Sequence, residues 1–189
     1  MLTKKDQPLD SPSVLVANGK KPKNKKVLEV LKNSKNVICI DNGYELASEL
    51  NITPSVVIGD LDSVDINKIN KSILVIKEED QNTNDLEKTF NYCLSKNIKN
   101  IILVGATGKR DDQNLATILI SLDYIEQLDI EILSDIYSIK FVNGEREFET
   151  ESKAEVSLIS MDKKNIITTK GLRYNLEKSK LSSATHGIS

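Results

Sequence analysis

The sequence has no tryptophan, one histidine, two cysteines and four prolines, and aromatic residues make up 4% of its 189 positions. Each scarcity closes a door. One histidine and two cysteines 54 positions apart, Cys39 and Cys93, do not make a zinc site of the usual kind. Both cysteines lie in apolar settings, "NVICID" and "FNYCL", and read as reduced core thiols. No apolar run approaches the length of a membrane span. The first residues, "MLTKKDQPLD", carry lysines without the apolar stretch of a secretory leader, so the cytoplasm is the expected location. Charge of one sign is also lacking: 26 basic residues nearly balance 28 acidic ones, and no broad basic face for nucleic acid is implied. The run Lys20–Lys26 reads as a solvated loop and helix start. A bound metal would therefore be held by oxygen ligands, as magnesium, manganese or calcium are.

What is present is an alternation. "SVLVANG", "NVICIDNG", "SVVIGD", "SILVIKEED", "NIILVGATG" and "LDIEILSD" are short apolar runs that end in polar or glycine-rich turns. Between them, "KNKKVLEVLKNSK", "YELASELNI", "TNDLEKTFNYCLSKNI" and "DDQNLATILISLDYIEQ" have apolar residues at helical spacing, the third capped by Thr83 or Asn84. The fold class expected is α/β: an N-terminal parallel sheet flanked by helices over residues 1–135. Residues 136–189 have short β-branched segments, a "VNGE" hairpin turn and no helical pattern, and are expected to form a small C-terminal all-β sandwich domain.

Ligands on parallel sheets bind beyond the carboxyl ends of the strands. There the sequence places acids. Asp41, Asp60, Asp62, Asp80 and Asp85 all lie at or just after expected strand ends. One such Asp is an ordinary turn cap. Five at one edge repel unless a cation offsets them, and magnesium is commonly held by carboxylates together with substrate phosphates. "GATGKRDD" adds Gly105 and Gly108, which let backbone approach phosphate, and Arg110, a bidentate phosphate donor. It lacks the spacing and the Lys-Ser/Thr ending of a Walker loop. A strand-to-helix turn without a ligand is the competing reading of that segment.

Five stretches in order resemble the thiamine pyrophosphokinase family: "IDNGYEL", "PSVVIGDLDSV", "DQNTNDLEK", "GATGKRDDQ" and "TTKGLRYNLE". The resemblance implies a homodimer that transfers the pyrophosphoryl group of ATP to thiamine, giving thiamine diphosphate and AMP, with Mg2+ as cofactor. It implies a nucleotide- and magnesium-binding catalytic domain, 1–135, and a thiamine-binding domain, 136–189. Asp41, Asp60, Asp62 and Asp85 are the implied metal ligands, and Asp60, Asp62, Asp85 and Arg110 the catalytic set. Asn18, Gly19, Thr83, Gly105, Thr107, Gly108, Arg110, Asp112 and Gln113 are implied at the ATP site. Thr185, His186 and Ser189 are implied at the thiamine-facing end, with Tyr137 and Tyr174 as aromatic candidates for a cationic ring. The sequence departs from the family pattern at Asn42, Tyr44, Asn84, Gln113 and Thr117, and the family pattern continues Ser-Asn beyond Ser189. Two other readings share these acids: a pyrophosphokinase for another hydroxymethyl heterocycle such as a pterin, and a phosphatase with an aspartyl nucleophile, for which "GDLD" supplies the D-x-D pair.

Overall fold

A computed structural model of the protein describes residues 12–62, 69–78, 80, 82–183 and 186–188. The chain forms two compact units that divide between Glu145 and Arg146.

In the first unit, strands β1 (Ser13–Val16), β2 (Val37–Ile40), β3 (Val56–Gly59), β4 (Leu74–Lys77), β5 (Asn100–Val104) and β6 (Asp129–Leu133) run parallel, in the order β4-β3-β2-β1-β5-β6. Helices α1 (Lys25–Asn33), α2 (Gly43–Glu49), α3 (Asp85–Ser95) and α4 (Asp111–Asp123) connect them. The strands are apolar on both faces because both are covered. Val14 and Val16 face one way, with Cys39, Val57 and the α1 and α2 residues Val27, Leu31, Leu46 and Ala47. Leu15 faces the other, with Ile38, Ile58, Leu103, Ile132 and the α3 residues Leu86, Phe90 and Cys93. Period-two alternation along each strand thus divides the core into two layers. Phe90 is fully buried and meets Tyr124 edge-to-face at 5.1 Å between ring centroids. Burying such a ring contributes about 1.5–3 kcal/mol.

Two of the helices, α1 and α3, begin at asparagines whose side chains cap them. Asn24 caps α1 through Lys26 N–H at 2.9 Å. Asn84 rather than Thr83 caps α3: its side chain accepts from Leu86 N–H at 2.8 Å, and Glu87 reaches back to the Asn84 N–H at 3.1 Å. This capping box accounts for Asn84 just ahead of Asp85. Thr83 is left to donate to Asp80 instead, at 2.6 Å.

The segment "YSIK", read from sequence as part of the second domain, extends the first sheet. Its strand β7 (Ser138–Lys140) pairs antiparallel with β6. The turn before it is closed by Ser134, whose N–H donates to the Tyr137 carbonyl at 2.9 Å while its hydroxyl oxygen accepts from the Tyr137 N–H at 3.1 Å. The hairpin therefore forms at 134–137. The expected "VNGE" turn joins no paired strands among the described residues.

The second unit holds a two-stranded antiparallel sheet, β8 (Ile166–Ile167) with β9 (Ser179–Lys180), the only strand pairing among its described residues. The connection between β8 and β9 is the "TTKGLRYNLE" stretch. Thr169 N–H donates to the Leu176 carbonyl at 2.9 Å, Thr169 Oγ1 accepts from Leu176 N–H at 2.8 Å, and Asn175 Oδ1 accepts from Leu172 N–H at 3.1 Å. The stretch folds on itself and presents Arg173 stacked on an exposed Tyr174, 5.3 Å from its ring centroid. No helix among the described residues is long and apolar enough to cross a membrane.

Candidate active site

Because β1 to β6 are parallel, the turns that follow them gather at one edge of the sheet. The strand order reverses direction at β1, whose neighbours are β2 and β5, the point at which such sheets commonly bind ligands.

On the β2/β3 side are the acids. Carboxylate oxygens of Asp41, Asp60 and Asp85 all lie within 4.8 Å of one another, each residue half-buried. Asp41 directly follows β2 with φ +43°, a left-handed conformation that Asp tolerates better than most residues, and its N–H donates to the Ile58 carbonyl of β3 at 2.7 Å. Gly59 makes room for it: a Cβ at position 59 would sit 2.9 Å from Asp41 Cβ. The glycine that ends the apolar run "VVIG" is therefore the space into which the neighbouring acid packs. Leu61, between Asp60 and Asp62, also has a left-handed φ of +59° and is 3% exposed. Its buried side chain pins the turn while the aspartates on either side stay nearer solvent.

Three ionised carboxylates this close repel by roughly 3 kcal/mol per pair at a near-surface dielectric of about 20. A lysine of α3 reaches one of them. Lys88 Nζ lies 3.0 Å from Asp85 Oδ1 and 3.0 Å from the Glu78 carbonyl, with its side chain 7% exposed. Asn42 Oδ1, in the same turn as Asp41, is buried without a hydrogen-bond partner among the described residues. The donor set is all oxygen and net negative, which fits a hard divalent cation. Asp62 stands outside this group; its N–H donates to Asp60 Oδ1 at 3.2 Å, so the turn-capping role of Asp60 coexists with its place in the cluster. Asp80 closes the loop ahead of α3, and its carboxyl is held below the usual range by the Thr83 hydroxyl and by Asn82. Asp80, Thr83 and Lys88 line a cavity of about 380 Å³.

A family model described as the thiamin pyrophosphokinase catalytic domain matches residues 27–133, which include all three acids and the "GATGKRDDQ" segment. The chain belongs to the thiamin pyrophosphokinase family. Its fold is shared with the thiamine pyrophosphokinase from Bacillus subtilis at 25% identity, over 94% of this chain and 87% of that one, with a TM-score of 0.78. A probable thiamine pyrophosphokinase from Staphylococcus saprophyticus is similar at 26% identity, over 90% and 87%, with a TM-score of 0.66. A thiamin pyrophosphokinase family protein from Enterococcus faecalis shares the fold at 19% identity, over 89% and 84%, with a TM-score of 0.69. No curated protein matches the chain.

The second half of this edge lies at β1/β5. Here Asn18, Gly19, Gly105, Thr107 and Gly108 come together, each bonded to another group of the same loops or of α4. Gly19 N–H donates to the Gly105 carbonyl, Lys20 N–H to the Thr107 carbonyl at 2.8 Å, and Gly108 N–H to Asn114 Oδ1 at 3.1 Å. Gly105, at φ +67°, lies where a Cβ would be 2.6 Å from the Ala17 carbonyl oxygen. Close loop packing is thus a sufficient reason for these glycines, and several N–H groups expected to face phosphate already have partners. Lysines supply positive charge instead. Lys109 Nζ reaches Asn18 Oδ1 at 2.8 Å, and Lys20 borders a cavity of about 180 Å³ with Gly105, Thr107, Gly108 and Asn114.

Arg110 precedes α4 and forms a two-point pair with Asp112, at 3.1 Å and 2.5 Å, both side chains exposed. The hydrogen bond from Arg110 holds the Asp112 carboxyl below its usual range. Gln113 is exposed on the first turn of α4. In the second unit, His186 Nδ1 is 3.0 Å from Ser182 Oγ. Thr185 and Ser189 lie outside the described residues. Lys88 and Asn114 were not singled out from sequence. Lys88 carried one available signal, its position three residues after Asp85 on a helix.

Proposed function

We propose that the protein transfers the pyrophosphoryl group of ATP to the hydroxyl of thiamine, giving thiamine diphosphate and AMP. The observation that carries this reading is the convergence of Asp41, Asp60 and Asp85 at the carboxyl edge of a family-typical sheet. Mg2+ bound by these oxygens would offset the charge of the polyphosphate and of the transition state.

The protein's own groups do the rest by position and charge. ATP lies along the edge, its polyphosphate toward the acids and its remainder toward the Gly105–Gly108 loop, where Lys20 and Lys109 complement its charge. Arg110 turns from Asp112 to phosphate oxygens, for which its planar fork is suited. Asp60 or Asp85 accepts the hydroxyl proton of thiamine as its oxygen attacks the β-phosphorus, and Asp62 supports the Asp60 turn. The second unit supplies thiamine contacts through Tyr174 and through Thr185, His186 and Ser189. The protein works as a homodimer, in the cytoplasm, where ATP is supplied and where Cys39 and Cys93 stay reduced.

The test is product analysis. Incubation with ATP, Mg2+ and thiamine should yield AMP and thiamine diphosphate in equal amounts by chromatography. ADP with thiamine monophosphate would show attack at the wrong phosphorus. Inorganic phosphate with thiamine untouched would overturn the transferase reading.

A further inference from the structure

Asp41 and Asp60 leave adjacent strands, and the sheet itself holds them together. Asp41 N–H bonds to the Ile58 carbonyl, Gly59 admits the Asp41 side chain, and Asp60 follows Gly59 directly. Asp85 has no such tie among the described residues. It opens helix α3, on the other side of the β4–α3 loop, and a helix N-terminus can shift by an ångström without breaking a sheet hydrogen bond. The side chain that bridges this gap is Lys88. Its ammonium donates at once to Asp85 Oδ1 and to the Glu78 carbonyl, each at 3.0 Å, and only 7% of its side chain is exposed. Glu78 N–H in turn donates to the Gly59 carbonyl at 2.9 Å. A continuous path therefore runs from the helix acid, through Lys88 and the end of β4, to the residue before Asp60.

We infer that Lys88 is a positioning residue for the carboxylate triad: it holds Asp85 in register with Asp41 and Asp60 so that the three can share one divalent cation. This rests on the reading of the triad as a metal site. Two properties favour Lys for the task. Its helical position three residues after Asp85 places the ammonium beside that carboxylate. It also occupies one Asp85 oxygen and leaves the second for another bond. A merely structural lysine would be expected to keep its head in water and bury only its stem, whereas only 7% of this side chain is exposed and its ammonium is bonded at two points.

The test is Mn2+ binding to the full chain, read by electron paramagnetic resonance without substrates, with circular dichroism to check folding. Lys88→Met should weaken Mn2+ binding by about 10- to 100-fold, the usual effect of losing a group that orients a metal ligand. Lys88→Arg, which keeps the charge, should recover part of the loss. In an Asp85→Asn background Lys88→Met should have little further effect, because the two act through one interaction. If Lys88→Met does not fold, Lys88→Gln keeps a donor for the Glu78 carbonyl and should show the same weakening. Unchanged or tighter Mn2+ binding in a folded Lys88 variant overturns the positioning role, since removing a nearby cation would by charge alone favour the metal. Absence of Mn2+ binding by the unaltered protein at millimolar metal overturns the metal-site reading itself, so the two failures are distinct.

Discussion

At the β1/β5 end of the sheet edge, the turns bond to each other: Gly19 to Gly105, Lys20 to Thr107, Gly108 to Asn114. At the β2/β3 end, three carboxylates face one another, with the Lys88 ammonium beside Asp85. In the first half backbone bonds hold the turns together, and its glycines serve chain-to-chain approach. The second half gathers like charges, which a bound cation would offset. Glycine therefore has different meanings at the two ends. Gly59 makes space for a charged side chain, while Gly19 and Gly105 make space for backbone.

The most direct way to break this comparison is Asp60→Asn. Turnover should fall about a thousandfold or more, because metal stabilisation of charge is worth several kcal/mol. The melting temperature in EDTA should not fall, because one of three repelling charges is gone. A variant that keeps wild-type turnover would remove Asp60 from the mechanism. The next contrast uses the glycines. Gly59→Ala pushes on Asp41 and should lower turnover about 100-fold through misplacement of a ligand. Gly19→Ala, whose Cβ would meet the Gly105 carbonyl, should instead destabilise the fold by about 1–3 kcal/mol. Urea unfolding beside turnover separates the two, and equal stability losses in both variants would contradict the division.

The smallest effect concerns the two core layers. Burial pushes the Cys39 and Cys93 thiols up from 9.0 to about 12. Both should resist a thiol reagent at pH 8 until the protein unfolds. Their folded values are raised, so their contribution to stability is fully present below pH 9 and is lost as pH rises from 9.0 towards about 12. Fast labelling of the native protein, or stability that is flat across that interval, would show that they are not buried as described.

Much of the first unit was legible in the chain. Six strands, four helices and the placement of acids at strand ends follow from apolar spacing, capping residues and turn residues, all of them local signals. The site was legible in its acids and in its order of motifs, but less so in the roles of individual residues. "VVIGDLDSV" shows two aspartates after a strand. It does not show that Asp60 joins Asp41 and Asp85 while Asp62 stays outside, because that depends on the left-handed turn at Leu61 and on where its side chain is buried.

What this sequence determined by itself is the alternation of elements and the chemistry carried to one edge, since hydrophobic periodicity and capping act within a few residues. What only the tertiary structure decided are pairings between distant segments: "YSIK" turning back onto β6, Gly19 against Gly105, and Lys88 reaching Glu78 beside Asp85. These depend on which surfaces the sheet brings within hydrogen-bond distance, and the spacing of residues along the chain does not record that distance.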